Sequence, residues 1–163
     1  GGNFEEVRYE GYGPGGVAML VEALTDNRNR TVGEVRHVFS KHGGNLSGST
    51  AWQFDTKGMI VIEDPAEGLE DLAIDLGAED IELEDGALTI YTSPGDLYEV
   101  VDGLQARGVT TAVAQLTRVP QTQMTVPSED VRKVLNLMEA LEDLDDVQNV
   151  YTTADLDSVE LVG

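Results

Sequence analysis

Three consecutive residues of this chain carry side chains that phosphate groups bind readily. Arg28, Asn29 and Arg30 stand directly before a segment with helical spacing. A guanidinium group can contact a phosphate through two parallel hydrogen bonds, and the N-terminus of a helix favours an anion. These residue types at this place therefore predict a phosphate-binding surface, which is the chemistry of contact with nucleic acid.

The helix that follows would add further cationic side chains on its solvent side. Apolar residues recur at helical spacing between 32 and 39 and would face the core. Arg36 lies away from that stripe, as do His37 and Lys41, which are four residues apart and share one side of a helix. The candidate face predicted in this way consists of Arg28, Asn29, Arg30, Arg36, His37 and Lys41. The alternative is a solvated helix face that carboxylates such as Asp26 and Glu34 neutralise.

The distribution of charge makes this region unusual within the chain. The 163 residues carry a net charge of −21. Residues 1–62 hold six basic and seven acidic residues, whereas residues 63–163 hold four basic and 24 acidic ones. A surface so acidic repels nucleic acid over most of its area, so any contact must come from the first region or from a further domain. The acidity itself fits either a solubilising surface or a surface for a basic partner.

The segment Gly11–Gly16 is a second candidate contact. Its sequence, Gly-Tyr-Gly-Pro-Gly-Gly, suits either a tight turn or a loop whose backbone approaches a phosphate at Gly13, Gly15 and Gly16. It precedes an apolar strand and not a helix, so the geometry of nucleotide-binding loops does not apply. We therefore expect a turn first, with a contact role in addition.

The residues give little support for catalysis, a metal or a cofactor. The two histidines, His37 and His42, lie close together on one element, and no nucleophile motif accompanies them. Cysteine is absent, and no spacing resembles a zinc site. The acidic run 142–146 could attract a divalent cation, although a helix end is the simpler interpretation. We predict a protein that is not an enzyme and needs no cofactor.

Four aromatic residues could stack on nucleobases, namely Tyr9, Tyr12, Trp52 and Phe54. Their positions in strand-like segments favour the core instead. The longest apolar stretches are short, so neither a membrane span nor a signal peptide is expected. Together with the absence of cysteine, this fits a cytoplasmic protein.

The elements that must position these residues alternate between strands and helices with short connections. In the first region, the patterns predict strands over 4–12, 17–24, 46–54 and 59–62, and a helix that follows the N-cap Thr31 and ends before Gly43. Thr31 and Glu34 match a capping box at its start. The order αββαβ then follows over 63–119, and βαβ over 120–152. This mixture predicts an α+β fold of two ferredoxin-like plaits, each an antiparallel sheet covered by helices.

Three segments together resemble the signature of the YebC/PmpR family. They are Gly11–Gly16, Thr25–Thr31 and Lys41–Leu46. That family is described in bacteria as "probable transcriptional regulators" and in mitochondria as a translational activator. The resemblance implies a basic helical domain upstream, and a first plait of 1–62 plus 120–163 interrupted by a second plait of 63–119. The residues alone also allow a simple division into 1–62 and 63–163.

The resemblance implies a non-enzymatic regulator associated with nucleic acid. The leading hypothesis is a DNA-binding regulator of transcription; the alternatives are a ribosome-associated factor that relieves stalled translation, and a ligand-sensing module. DNA or ribosomal RNA would be bound mainly through the upstream domain and the candidate face. Because the chain begins with Gly-Gly and without an initiating Met, we expect a fragment that lacks that upstream domain. The oligomeric state stays open.

Overall fold

The computed structural model describes residues 3–156, whose contacts form two compact units. Unit 1 comprises Gly1–Phe54 and Pro120–Gly163, and unit 2 comprises Asp55–Val119. In chain order the elements are β1 (Glu5–Tyr12), β2 (Ala18–Thr25), α1 (Arg28–Lys41), β3 (Phe54–Glu63), α2 (Leu69–Leu76), β4 (Asp80–Glu84), β5 (Ala87–Thr92), α3 (Leu97–Ala106), β6 (Val113–Pro120), α4 (Ser128–Glu142) and β7 (Val147–Thr152).

Unit 1 is built on a three-stranded antiparallel sheet with the order β1-β2-β7. The central strand β2 is apolar along most of its length because it is buried on both faces. On one face its side chains pack with those of α1 and α4, in a cluster that includes Met19, Val21, Val35, Phe39, Val134, Leu137 and Leu141. On the other face Ala18 and Leu20 pack with Phe54. The sheet therefore holds α1 by its apolar side and leaves the opposite side of that helix in solvent.

Unit 2 has the strand order β4-β5-β3-β6, which is the order of a ferredoxin-like plait. Alternate residues of β3 and β5 point to one face, where α2 and α3 cover them. The buried cluster contains Ile60, Ile62, Ala73, Leu88, Ile90, Leu97, Val100 and Leu104. These observations confirm the predicted α+β class with antiparallel sheets flanked by helices; the sheet of unit 1 has three strands.

Some predicted elements differ in the structure. The first strand of the predicted βαβ order over 120–152 does not form, since residues 121–127 are a loop with one isolated bridge between Met124 and Ala154. Residues 46–53, predicted as a strand, form a loop that ends in one 3₁₀ turn, Ala51–Gln53. The polar, Gly-containing sequence favours this, because Gly48 adopts a φ of 90° that a strand residue does not take. Helix α1 begins at Arg28, four residues earlier than predicted, because its N-cap is Asn27 and the predicted N-cap was Thr31. Asn27 caps it, since the Asn27 Oδ1 accepts a hydrogen bond of 3.1 Å from the backbone N–H of Arg30.

The segment 55–62 lies with unit 2, whereas the predicted boundary placed it in the first plait. Residues 58–63 of β3 pair with β5, and Ile60 and Ile62 are buried in the core of unit 2. The division of the chain into a discontinuous first domain and an inserted second domain, each a folding unit, stays a prediction.

Candidate nucleic-acid interface

The solvent side of α1 carries three cationic or titratable side chains of the candidate face. Arg36, His37 and Lys41 are exposed, while Val35 and Phe39 are fully buried on the opposite side. Within residues 3–156 none of these three exposed side chains forms an ion pair with a carboxylate. They are therefore open to an anionic partner from solution.

Arg28 and Arg30, at the start of α1, differ from these three side chains. Each of the two arginines already has a carboxylate partner. The Nη1 of Arg28 lies 3.6 Å from the Oε2 of Glu5. The Nη2 of Arg30 lies 3.0 Å from both the Asp26 Oδ1 and the Asp146 Oδ2. For Arg30 this is the neutralised arrangement that the sequence left open as the alternative. A phosphate bound at Arg30 would have to displace two carboxylates.

Asp146 lies beside the first turn of α1 and binds side chains of that turn. Its Oδ2 accepts a hydrogen bond of 2.7 Å from the hydroxyl of Thr31, whose oxygen lies 2.7 Å from that of Thr25. Both threonines are fully buried, and the Asp146 side chain is only 13% exposed. The pKa of Asp146 is held below its usual value, mainly by the hydrogen bond from the Thr31 hydroxyl and next by the one from Arg30. The hydrogen bond from Arg30 to Asp146 in turn raises the pKa of the guanidinium.

The importance of Asp146 was not evident from the sequence. It stands at the end of the acidic run 142–146, which the sequence analysis interpreted as a helix end with some attraction for a cation. Its partners lie 115 and 116 residues earlier in the chain. The fold brings Asp146 close to the first turn of α1, and the local sequence pattern does not encode that contact.

Replacing Asp146 by Asn should lower the free energy of unfolding by about 2 kcal/mol at neutral pH, because a buried charge-assisted hydrogen-bond network is lost. The pKa of this carboxyl is lowered in the folded state, so its stabilising effect is fully present above the ordinary value of 3.8 and is lost as the pH falls through the folded-state pKa. Urea unfolding of both proteins across the acid range measures the difference. The exposed neighbour Asp145 provides the control, since D145N should leave stability nearly unchanged.

The glycine-rich segment forms the connection between β1 and β2. Residues Pro14–Gly16 make one 3₁₀ turn, and Gly15 and Gly16 have φ values of 78° and 80°, which favour glycine. Gly13 is buried, and its backbone N–H donates to the carbonyl of Val17 at 2.9 Å. Only Gly15 and Gly16 of the three predicted loop contacts lie at the surface. The turn interpretation thus has a direct structural basis, and contact with a partner at these residues stays a prediction.

Two further observations concern sites of other kinds. Over residues 3–156 there is no group of three His, Asp or Glu side chains that could hold a metal ion. In the same part of the chain, every helix is too short or too polar to cross a lipid bilayer.

Comparison with known proteins agrees with this fold. The family model described as "TACO1/YebC second and third domain" matches residues 4–154. A "Probable transcriptional regulatory protein" of Thermus thermophilus is 52% identical over 160 residues, which cover 97% of this chain and 65% of that protein. A protein of the same description from Deinococcus radiodurans is 52% identical over 155 residues, or 94% of this chain and 64% of the relative.

A solved structure extends the agreement to three dimensions. The crystal structure of a conserved hypothetical protein, Aq1575 from Aquifex aeolicus, superposes with a TM-score of 0.93 at 46% identity, covering 100% of this chain and 69% of that one. The chain spans about 65% of the length of the curated relatives named above. These matches confirm the resemblance that the three sequence segments indicated. The chain belongs to the TACO1/YebC family.

Proposed function

We propose that this protein is a non-enzymatic, cytoplasmic regulator that binds nucleic acid, and specifically a DNA-binding regulator of transcription. The relatives described above are named as transcriptional regulatory proteins, which supports a regulatory role. The observation that carries the proposal is the exposed row of Arg36, His37 and Lys41 on α1, which has no carboxylate partners within residues 3–156.

A small cationic face can bind a polyanion even though the chain carries a net charge of −21. At physiological ionic strength, interactions between exposed charges fade over about 8 Å. A phosphate seated against Arg36 or against Lys41 therefore responds mainly to the charges close to that side chain. The acids of 63–163 that lie near α1 are those beside its first turns, where Asp143, Asp145 and Asp146 line a cleft with Arg30 and Glu34. The charges near the bound phosphate determine whether it binds, and the net negative charge of the chain limits the area of nucleic acid that can be bound.

The shape of α1 also suits this role. Its 14 residues span about 21 Å, and its solvent side includes Gly33, where a Cβ atom would meet nothing within 4 Å. A nucleic-acid backbone could approach the helix closely there. Arg28 and Arg30 would contribute at the same end of the helix only after exchanging their carboxylate partners for phosphate.

Charge reversal at two positions tests the proposal. The double variant R36E/K41E should weaken binding to duplexes selected from a random-sequence library by at least about tenfold at near-physiological salt, because two phosphate contacts become repulsive. The matched control is R132E/K133E, which makes the same charge change on exposed residues of α4. Fluorescence anisotropy measures both. An equal loss in the two double variants would show that only net charge matters and would remove α1 from the interface.

A ribosome-associated translation factor is the second candidate. The exposed part of the candidate face offers cationic groups that suit phosphates more than base edges, and such contacts position a protein without reading sequence. This favours recognition of RNA by its shape. Co-sedimentation with ribosomes, again comparing R36E/K41E with R132E/K133E, separates the candidates. Selective duplex binding with no ribosome association supports transcription, and the reverse result supports translation.

A further inference from the structure

The four aromatic residues that could stack on bases differ sharply in exposure. Phe54 is buried, and Tyr9 and Tyr12 are half-buried. Trp52 is 66% exposed, although it belongs to unit 1 and stands two residues before the buried Phe54. Only this one of the four therefore offers a full ring face to solvent.

The exposed indole is fixed in place by its surroundings. Its Nε1–H donates to the carbonyl oxygen of Ser49 at 2.8 Å, so the polar atom of the ring is already satisfied. The 3₁₀ turn that carries it is anchored by Glu10, whose Oε1 accepts from the backbone N–H of Thr50 at 2.9 Å and of Ala51 at 2.7 Å. The buried hydroxyl of Thr50 adds a bond of 2.9 Å to the carbonyl of Met19.

This anchoring is not needed to fill the core. Ala51 and Phe54, on either side of Trp52, supply the apolar contacts with Ala18 and Leu20 on the sheet. A large aromatic side chain held rigidly in solvent loses little conformational entropy when a ligand binds to it. The arrangement is typical of a preformed stacking surface.

A cleft of about 180 Å³ adjoins the ring and is lined by Trp52, Gln53, Gln121 and Thr122. A backbone hydrogen bond of 2.8 Å from Gln121 to Gln53 joins its two walls. The volume is below that of sites for drug-sized ligands, which begin at about 300 Å³. Amide and hydroxyl groups supply the donors and acceptors that the edge of one base requires.

A positive charge lies on the strand that anchors the turn of Trp52. Arg8 is exposed and shares a face of β1 with Glu10, because residues two apart in a strand point to the same side. Glu10 itself binds the turn that carries Trp52. Arg8 is near enough to Glu10 to offset the charge of that carboxylate, so a cation accompanies the turn that carries the stacking ring, a combination that single-stranded nucleic acids bind.

We propose that Trp52 stacks on an unpaired base of single-stranded nucleic acid, with the cleft receiving the edge of that base. The inference rests on the proposed function and names the form of nucleic acid that this surface takes. A proline-rich peptide is the other ligand that Trp binds well, but such peptides dock in grooves lined by several aromatic residues. Here one aromatic ring and three polar side chains line the cleft.

The chain contains a single tryptophan, so its emission reports directly on this site. We would titrate the 163-residue chain with single-stranded oligoadenylate of about ten nucleotides, within the site sizes typical of such proteins. Stacking should quench the emission, and W52A should weaken binding about tenfold, with W52F retaining part of the affinity. The matched control is Y98A, which removes a 70% exposed aromatic side chain from α3 and should leave the affinity unchanged.

The outcomes separate this inference from the proposed function. Binding that neither changes the emission nor weakens in W52A overturns the stacking inference and leaves the proposed function standing. Absence of binding to single strands, duplexes and ribosomes alike overturns both. Quenching by a proline-rich peptide and not by the oligonucleotide assigns the cleft to peptides and overturns the inference. Because Trp52 is exposed, W52A should have the same melting temperature as the parent chain. If W52A is less stable, the affinity of W52F tests the stacking in its place.

Discussion

Replacing Gly44 by Ala is expected to lower the free energy of unfolding by about 3 kcal/mol, although the change adds only one methyl group. A Cβ atom at this position would stand 2.5 Å from the backbone carbonyl oxygen of Tyr12 and 3.1 Å from a ring carbon of Phe39. Real Cβ atoms essentially never approach an oxygen so closely, so the backbone must move. Overpacking of this kind costs about 1–3 kcal/mol, and lost hydrogen bonds add to it.

The hydrogen bonds at risk join two of the sequence segments that identify the family. The N–H of Tyr12 donates to the carbonyl of Asn45, and the N–H of Asn45 donates to the carbonyl of Tyr12, each at 2.9 Å. Gly11 lies on the other side of the same bridge, where a Cβ would be 2.5 Å from the Asn45 carbonyl oxygen. The segment that leaves α1 is therefore attached to the end of β1 through a bridge that two glycines permit, since they let the two backbones approach.

Gly33 provides a control with the opposite sign. It lies inside α1, and a Cβ there would meet nothing within 4 Å. Ala has the higher helix propensity, so G33A should raise the free energy of unfolding by up to about 1 kcal/mol. Urea unfolding followed by circular dichroism measures both variants. If G44A and G33A had the same stability, the close approach at Tyr12 would not be what requires glycine.

The glycines after β1 and after α1 show what the local sequence can and cannot predict. The turn at Gly11–Gly16 and the end of the helix at Gly43 were predictable, because both depend on neighbouring residues. The contact between Gly44 and Tyr12 joins positions 32 residues apart, and no periodicity encodes it. The three segments could be recognised as a family signature from the sequence, but the contact that requires glycine at position 44 is visible only in the structure.

The same distinction explains which elements were predicted well. Strand β5 and helix α3 have regular apolar spacing with clear stop signals, and both form in the αββαβ order predicted over 63–119. The start of α1 was predicted four residues late, since Thr31 fits the N-cap of a capping box but its hydroxyl binds Asp146 inside the fold. A buried partner from another element overrode the local signal there.

For the candidate face, helical spacing predicted exposure correctly but could not predict pairing. Arg36, His37 and Lys41 are exposed, as expected from their place opposite the apolar stripe. Arg30 has the same local sequence signals, yet Asp146 approaches it from the segment after α4. Whether a surface arginine is available to a ligand depends on the other carboxylates that the fold brings near, and this chain has 31 acidic residues.

Replacing Phe39 by Ala is the second change with a large expected effect, a loss of about 4 kcal/mol in the free energy of unfolding. Phe39 has the largest side chain among the fully buried residues of the described chain and belongs to the core of unit 1. Its ring lies against the positions of both Gly11 and Gly44, so the space it leaves is bounded by backbone that cannot collapse easily. Buried Phe to Ala changes cost about 3–5 kcal/mol for this reason. Thermal and urea unfolding measure the loss.

Phe4 is the matched control because it is 62% exposed, and F4A should change the stability by less than about 0.5 kcal/mol. F39L, which keeps most of the apolar volume, should fall between F39A and the parent chain. Equal effects of F39A and F4A would contradict the assignment of Phe39 to the core.

The Phe39 variants also connect the core to the candidate face. Phe39 lies on the buried side of α1, opposite Arg36 and Lys41, so it fixes the helix without contacting any ligand of that face. F39L should therefore retain nucleic-acid affinity wherever the chain stays folded, while R36E/K41E loses affinity with little loss of stability. If F39L weakened binding as much as the charge reversal under conditions where both are folded, the interface would depend on the packing of α1 and not on its exposed charges.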